Sequence, residues 1–434
     1  MGRRDLGRVF GVRRPGAAFL SMGWIEDQSG ARPPHSKKLR IAFVTPEFVT
    51  ESHFDGGLAN YLNRVSKILA AHGHDIHVIT LSQKDDAEFD HNGVMVHRVM
   101  LSPMWDAFNR ISRYRFPTTL HWLNFSAQSY RKLRKLHRQE PFQIVQYPNY
   151  SFSGLFAIPF LRTTHVVRAS SFEPALYAAM KQNNVDSRLV ERFEAFQYKL
   201  TRNVFAPSQA MQKTLNEKLN VANPQLIHSP FYVETDKWDN SVYDQCLKDK
   251  KYALYFGRFQ LHKGFHTLAR ALPEFLRHCP DAHVALVGRD TETNLASSMA
   301  GFARSQCDGF ADRLILLGNL PHSHLYPIIA GARLVTLPSL IDNLPNACLE
   351  AMGLGKVVIG TRGISFDELI TDGVNGFLAP PDDPKALAET MISAWTNPDL
   401  ETMGAAAKQT MLKLAPEKTI AALLGYYFDV LQTA

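Results

Sequence analysis

Four charged residues in the second half of the chain lie where predicted strands or helices begin and end. Arg258 and Lys263 belong to FGRFQLHKG, a loop that joins a predicted strand to a predicted helix. An arginine can hold two oxygens of a phosphate at once, and a lysine adds a mobile positive charge, so the loop suits a diphosphate. Taken alone, it equally fits a solvated loop with two surface cations.

Asp342 and Glu350 lie on either side of a predicted helix start in DNLPNACLEAMGLG. Pro345 suits a first helical turn and Asn343 a helix cap, and the free amides of such a turn bind anions. Glu350 falls inside the helix among apolar neighbours, where a carboxylate needs hydrogen-bond donors such as ribose hydroxyls. A salt-bridged residue on the helix surface is the alternative.

The first half of the chain offers a weaker signal, the pair Gly56-Gly57 in DGGLANYL. Glycines at a loop-to-helix junction let the backbone approach a ligand closely. The pair is common in turns, however, and it is not the G-x-G-x-x-G of a dinucleotide site.

The elements that must position these residues alternate between strands and helices. LRIAFVT (39–45), a helical pattern with Leu58, Leu62, Val65 and Leu69, and DIHVITL predict strand, helix and parallel strand. After an irregular stretch from residue 228, the alternation restarts with YALYFGR (252–258). We therefore expect an α/β protein with two doubly wound domains, each with its own parallel sheet, and a ligand site in the cleft between them.

Composition and charge limit the function classes. A chain of 434 residues is longer than one hydrophobic core usually supports, so two domains are expected. The net charge of +7 falls to +2 once residues 1–38 are set aside, which argues against a nucleic-acid partner. The four cysteines have no metal-ligand spacing and are expected to be free thiols. No apolar run is long enough to span a membrane. Residues 1–38 have arginines but too short an apolar stretch for a signal peptide, so a disordered extension, or a start at Met22, is expected.

Taken in order, these motifs resemble the family-4 retaining glycosyltransferases of the GT-B fold. The resemblance rests on FGRFQLHKG, HVALVGR, PSLIDNLPNACLEAMGLGKVVI and DELITDGVNGFLAPPDDPKALAETM, with DGGLANYL in agreement, and it spans residues 39 to 430. It implies an N-terminal acceptor-side domain (39–230), a C-terminal donor-binding domain (231–414) and a last helix (about 415–432) that folds back onto the first domain.

The resemblance also implies residue roles for transfer from a UDP- or GDP-linked sugar. Arg258, Lys263 and Asp342 would be catalytic, the two cations holding the diphosphate and Asp342 the sugar. Glu350 would hold the ribose, and LGNLPHSHL (317–325) would meet the nucleobase. The expected donor-binding set is Gly56, Gly57, Gly257, Asn343, Leu344, Pro345, Asn346 and Glu350, with Asn319 and Leu320 in the nucleobase region.

Two departures from the family pattern stand out. Most relatives have Glu where this chain has Asp342, and many have a His-Gly pair where this chain reads THVVRASSFEP. Arg168, Ser170 or Glu173 would have to act near the reaction centre instead. No metal or other cofactor is expected, and Asp382-Asp383 fits a helix cap better than a metal site. A sugar-nucleotide epimerase and a non-catalytic nucleotide- or glycan-binding relative remain alternatives to the transferase.

The acceptor is expected to be a glycan or a lipid-linked molecule in cell-surface polysaccharide or glycoconjugate synthesis. Residues 110–138 contain eight Arg or Lys and no acid, with aromatic residues among them. Such a segment suits anionic lipid headgroups, while a solvated helix face with core aromatics is the alternative. A cytoplasmic protein, in contact with the inner face of the membrane through this segment, is expected.

Overall fold

The computed structural model describes residues 37–51, 57–170, 184–233, 238–343 and 345–433. Two separate sheets run through the unit formed by Lys38–Ala434. The expected extension 1–38, apart from its last two residues, lies outside the described residues, and so do the candidate site residues Gly56, Glu173 and Leu344.

The first sheet has eight strands in the order β3-β4-β2-β1-β5-β6-β7-β8. Its central strands are buried on both faces, as is usual when helices cover a parallel sheet. The strands are β1 (Arg40–Thr45), β2 (Asp75–Leu81), β3 (Glu88–His91), β4 (Val94–Val99), β5 (Ile144–Pro148), β6 (Thr164–Arg168), β7 (Val204–Ala206) and β8 (Gln225–Leu226).

The second sheet has six parallel strands in the order β11-β10-β9-β12-β13-β14. They are β9 (Lys251–Phe256), β10 (Ala282–Val287), β11 (Leu314–Gly318), β12 (Leu334–Thr336), β13 (Val358–Thr361) and β14 (Gly376–Ala379). The chain winds outward from β9 on one side and from β12 on the other. The crevice where such an order reverses, beyond the carboxyl ends of β9 and β12, is where open α/β sheets bind ligands.

Helices cover both sheets. In chain order they are α1 (Gly57–Ala71), α2 (Met104–Ile111), α3 (Pro117–Gln139), α4 (Ala157–Phe160), α5 (Val185–Leu200), α6 (Gln209–Leu219), α7 (Ser241–Cys246), α8 (Phe265–His278), α9 (Met299–Gln306), α10 (His322–Gly331), α11 (Asn346–Gly353), α12 (Pro384–Thr396), α13 (Leu400–Thr410) and α14 (Pro416–Gln432). Short 3₁₀ turns include Leu261–Lys263 and Ser365–Glu368. None of the helices in the described ranges is both long and apolar enough to cross a membrane.

Two expectations about the elements were wrong. The first sheet is not purely parallel, because β3 pairs antiparallel with β4 through a two-residue turn at Asn92-Gly93. Both turn residues have positive φ, which the Asn-Gly pair adopts readily in a tight hairpin. The predicted irregular stretch after residue 228 contains helix α7.

The last helix crosses back to the first sheet. Ile420, Leu423 and Tyr427 of α14 pack with Leu58 and Leu62 of α1, at positions that the helical periodicity predicted to be buried. The Tyr427 hydroxyl donates to Gln146 Oε1 of β5 over 2.6 Å. Just before α14, the Leu414 carbonyl accepts from the amide of Phe231, and both residues belong to the core of the second sheet. Two chain passages, near Phe231 and Ala415, therefore connect the halves.

Candidate active site

The loop after β9 reaches the loop after β12 because residue 264 is a glycine. Gly264 has φ +66°, and a Cβ there would lie 1.7 Å from the carbonyl oxygen of Pro338. The Leu340 amide also donates to the His262 carbonyl, over 2.8 Å. The two loops that leave the reversal point of the second sheet are thereby locked together.

Within these loops, Lys263 and Asp342 contact each other directly. Lys263 Nζ donates to Asp342 Oδ2 over 2.6 Å, and both side chains are partly buried. Arg258 is exposed at the start of the same loop, after Gly257, whose φ is +138°. The structure thus unites two residues that the sequence suggested for different parts of a ligand.

The pKa of the His262 imidazole reflects the charges of this cluster. Burial and the charge of Lys263 lower the pKa of His262 to about 4, with Arg258 adding to the effect and Asp342 opposing it. His262 therefore stays neutral at physiological pH between two cations and one anion. The charges of Lys263, Arg258 and Asp342 all affect the pKa of this half-buried ring, so all three groups lie close to it.

The helix start beyond Asp342 differs from the expectation. Helix α11 begins at Asn346, and Pro345 is its cap residue, without a capping side chain. Asn343 is not a cap. Its Nδ2 donates instead to the backbone carbonyl of Ser170, at the edge of the first sheet, over 2.9 Å. The first amides of α11 therefore have no side-chain cap and are available to an anion.

A second approach between the two halves lies at Gly57, the first residue of α1. A Cβ on Gly57 would be 2.9 Å from Nδ2 of Asn346. Together with the Asn343–Ser170 hydrogen bond, this contact brings the start of α1 and the end of β6 against the start of α11. Gly57 thus lies beside Asn346, and Ser170 lies beside Asn343.

Glu350 is the most unusual group of the site. It is 6% exposed, and among the described residues no donor makes a hydrogen bond to its carboxylate. The imidazole of His322 lies beside it, with Nε2 3.3 Å from Oε1. A carboxylate this little exposed to water is stabilised by hydrogen-bond donors, so the site suits a ligand that donates.

Sequence reasoning missed His322, although it pointed to the segment that contains it. Of the residues predicted for the nucleobase region, Asn319 is exposed and Leu320 is half-buried against the core of the second sheet. His322, the first residue of α10, lies beside Glu350. Its signal in the sequence was an imidazole at the start of the helix that follows β11.

Arg168 lies deeper in the first domain than a ligand-binding cation would. It is 6% exposed, and its guanidinium donates to the hydroxyls of Ser170 and Ser229 over 2.8 and 3.0 Å. It stacks on the ring of Tyr61 at 3.9 Å, and burial lowers its pKa. Arg168 therefore ties β6 to α1 and to the segment that leads into the second sheet.

The acidic pair 382–383 is accounted for by local structure. Asp383 caps α12, accepting from the amide of Ala386, as expected. Asp382 accepts from Thr267 and His266. Throughout the described ranges, no three His, Cys, Asp or Glu side chains group closely enough to hold a metal ion. All four cysteines are free thiols, as predicted.

Comparison with known families decides the class. Residues 55–233 match the family model for "Glycosyltransferase Family 4", and residues 250–397 match the model for "Glycosyl transferases group 1". The two matches cover about three quarters of the chain and contain every strand described above except β1. The chain belongs to glycosyltransferase family 4.

Individual relatives agree with this assignment. An uncharacterised glycosyltransferase of Methanocaldococcus jannaschii is 23% identical over 378 residues, which are 82% of this chain and 90% of that protein. A glycogen synthase of Mycobacterium tuberculosis is 21% identical over 359 residues, 79% of this chain and 83% of that protein.

Solved structures show the same fold. Sucrose-phosphate synthase of Thermosynechococcus elongatus superimposes with a TM-score of 0.70 at 18% identity, over 91% of this chain and all of that one. Anabaena HepE, in complex with UDP and glucose, gives 0.65 at 16% identity over 90% of this chain and 99% of that one. This family-4 glycosyltransferase therefore has the expected GT-B fold of two Rossmann-like domains. As a glycosyltransferase it uses a nucleotide-sugar donor, and the epimerase alternative is not favoured.

Proposed function

We propose that this glycosyltransferase moves a sugar, with retention of its anomeric configuration and without a metal ion, from a UDP- or GDP-linked donor to a glycan or lipid-linked acceptor. The observation that carries the donor site is the carboxylate of Glu350, which is 6% exposed, lies inside α11 and has the His322 imidazole 3.3 Å from Oε1. The two ribose hydroxyls supply hydrogen-bond donors for this carboxylate. Cell-surface polysaccharide or glycoconjugate synthesis is the setting we propose.

The donor spans the reversal point of the second sheet. With the ribose on Glu350, the uncapped amides at the start of α11 face the diphosphate, and Arg258 and Lys263 neutralise it. Lys263 has three N–H groups, so it can hold Asp342 and a phosphate oxygen together. Asp342 has further lone pairs for a sugar hydroxyl, so the pair connects the sugar to the leaving group.

In the transfer step, the bond between the anomeric carbon and the β-phosphate oxygen breaks as the acceptor oxygen bonds to that carbon on the same face. The acceptor's proton passes to the departing phosphate, and the nucleoside diphosphate leaves. Negative charge builds on the β-phosphate, where Arg258, Lys263 and the amides of α11 stabilise it. Preorganised stabilisation of developing charge usually lowers an enzyme's activation barrier more than any other single effect. Fixed cations supply the charge that a metal ion would otherwise provide.

A panel of UDP- and GDP-linked sugars, read by thermal shift, tests the donor site. We expect one donor to raise the melting temperature of the wild type and of Glu389→Gln, a control on the exposed face of α12. Glu350→Gln should lose the shift. If no nucleotide sugar shifts the wild type, the donor-site proposal fails.

Two further measurements test the chemistry. The anomeric proton coupling of the product should match that of the donor, and an inverted coupling would contradict retention. Activity should survive dialysis against EDTA, and its loss with recovery on adding a divalent cation would contradict metal independence.

Membrane contact belongs to the same proposal, with a surface that extends the predicted segment 110–138 back to Met104. Helix α2 has no buried residues, and Met104, Phe108 and Ile111 form an exposed stripe at helical spacing. Arg110 and Arg113 are exposed beside it. An apolar stripe bordered by cations fits a membrane with anionic headgroups. This surface supports a position at the cytoplasmic face of the membrane.

Helix α3 contributes a second cationic face. Arg131, Arg134, Lys135 and Arg138 are exposed along it and border one shallow depression. Lys132 does not belong to this face, because it bonds to Glu88 over 3.1 Å. Phe125 is fully buried, as the alternative of core aromatics predicted for this segment.

Liposome flotation tests this contact. Phe108→Ser with Ile111→Ser should abolish binding to phosphatidylglycerol vesicles, and replacing the four exposed cations of α3 with Gln should weaken it. Phosphatidylcholine vesicles should bind neither wild type nor variants. Unchanged binding of both variants would contradict the proposal.

A further inference from the structure

The position of His322 beside Glu350 has a consequence for how the donor is held. Its Nε2 lies 3.3 Å from Glu350 Oε1, a separation at which an imidazole N–H can donate to a carboxylate. The imidazole is half exposed, while the carboxylate side chain is 8% exposed. The imidazole therefore meets a carboxylate whose position is set by the packing of α11.

The elements around this pair are rigid. Glu350 lies in the middle of α11, between Leu349 and Ala351, which are both buried in the core of the second sheet. His322 is the first residue of α10, and its ring lies 5.3 Å from that of Tyr326 one turn later. Two helices thus bring a buried carboxylate and an imidazole nitrogen to the same point.

We propose that His322 is a positioning residue for donor binding: its Nε2–H bonds to one oxygen of Glu350 and turns the carboxylate toward the ribose hydroxyls. This rests on the proposed function of Glu350. A carboxylate with two oxygens can rotate about its last bond, which spreads its lone pairs over several directions. A hydrogen bond from one fixed side selects the orientation in which the remaining lone pairs face the ligand.

Side chains that hold a ligand through one atom are commonly oriented by a hydrogen bond at another atom. At metal sites, removing that second partner weakens binding about 10- to 100-fold. Here the carboxylate of Glu350 has no other hydrogen-bond partner among the described residues. His322 is therefore the side chain in the described ranges whose loss would release it.

The test compares nucleoside diphosphates with and without the ribose hydroxyls. UDP and GDP, and their 2′,3′-dideoxy counterparts, are titrated calorimetrically into the wild type, His322→Ala, His322→Gln and Glu350→Gln. We expect the wild type to prefer the ribose form of its nucleotide by about 10-fold or more. His322→Ala should reduce that preference several-fold, with little change in affinity for the dideoxy form.

His322→Gln is the matched rescue, because the amide nitrogen of Gln can occupy the place of Nε2 and donate without carrying a charge. It should retain most of the preference for the ribose form. A Gln variant as impaired as the Ala variant would overturn the positioning role. An equal loss of affinity for both forms in His322→Ala would also overturn it, since that indicates a general structural defect.

Glu350→Gln separates this inference from the proposed function. If it leaves the ribose preference intact, Glu350 does not hold the ribose and both ideas fall. If it removes the preference while His322→Ala leaves it intact, the donor site stands and only the role of His322 is wrong. The melting temperature of each variant without ligand shows whether the fold is preserved.

Discussion

Lys263 and Asp342 bond to each other across the two loops that leave the reversal point of the second sheet, with Nζ 2.6 Å from Oδ2. The carbonyl of Asp342 in turn accepts from the hydroxyl of Ser365 over 2.8 Å. Asp342 is thus held through both its side chain and its backbone. The short acid at this position is matched by a lysine that reaches it.

The first prediction concerns this pair. Asp342→Asn should lower kcat/KM about 100-fold, because Lys263 loses the anion that orients it, and Lys263→Met should lower it by a similar factor. If the two act as one unit, the double variant is little worse than either single one, with a coupling energy of about 1–3 kcal/mol. Steady-state kinetics of the three variants measure this coupling. Additive effects would show that the bond has no part in transfer.

A second prediction concerns the close approach at Gly264. Gly264→Ala must move the backbone of Pro338, since the new Cβ would lie 1.7 Å from its carbonyl oxygen. We expect at least a tenfold loss of donor affinity and a lower melting temperature. Gly309→Ala is the matched control, because Gly309 also has positive φ but has no atom within 4 Å of its Cβ position. Gly309→Ala should cost only the backbone strain of an alanine at positive φ, about 1–2 kcal/mol. Equal effects of the two variants on donor affinity would contradict a specific role for the Gly264 contact.

The second sheet and its site loops were largely predictable, because buried parallel strands read as apolar runs and the loops follow their carboxyl ends. The hairpin at Asn92-Gly93 was also within reach, since Asn-Gly is a strong turn signal, but strand β3 (EFDH) is too short and polar to be recognised. The contacts across the two halves were not predictable. Asn343 looks like a helix cap in the sequence, and only the folded chain shows that its amide reaches Ser170, 173 residues away. The contact between His322 and Glu350 was not predictable for the same reason, because only the folded chain brings the two residues together.

A third prediction concerns pH. His165 is buried, with Nε2 2.8 Å from the Leu161 carbonyl and Nδ1 3.1 Å from the Tyr147 hydroxyl, and burial lowers its pKa to about 4. In the unfolded chain its pKa is near 6.5. Between these values the unfolded state binds more protons, so the native state loses stability as the pH falls from about 6.5 toward 4.

His165→Gln should make the free energy of unfolding less dependent on pH over that range. The number of protons taken up on unfolding should fall by up to one, whatever the effect of the substitution on stability at pH 7.5. Urea unfolding at pH 7.5, 6 and 5 gives the slope, and an NMR titration of the imidazole gives the pKa directly. An unchanged slope in the variant, or an imidazole that titrates near 6.5 in the native protein, would contradict the prediction.

The last prediction concerns a contact between the two halves at Glu368. Its carboxylate accepts from the amides of Gln209 and Ala210, over 2.8 and 2.7 Å, and so caps α6 of the first domain from the second. Glu368 ends the 3₁₀ turn whose first residue, Ser365, holds the Asp342 loop. Glu368→Ala should therefore cost about 1–2 kcal/mol as a lost cap and should also raise KM for the donor several-fold.

Asp383→Ala, which removes a cap within one domain, should lower stability without changing KM, as thermal melts and initial-rate kinetics will show. A KM that changes equally in both variants would mean that Glu368 acts on stability alone, whereas a change confined to Glu368→Ala links the contact between the domains to the position of the donor loop.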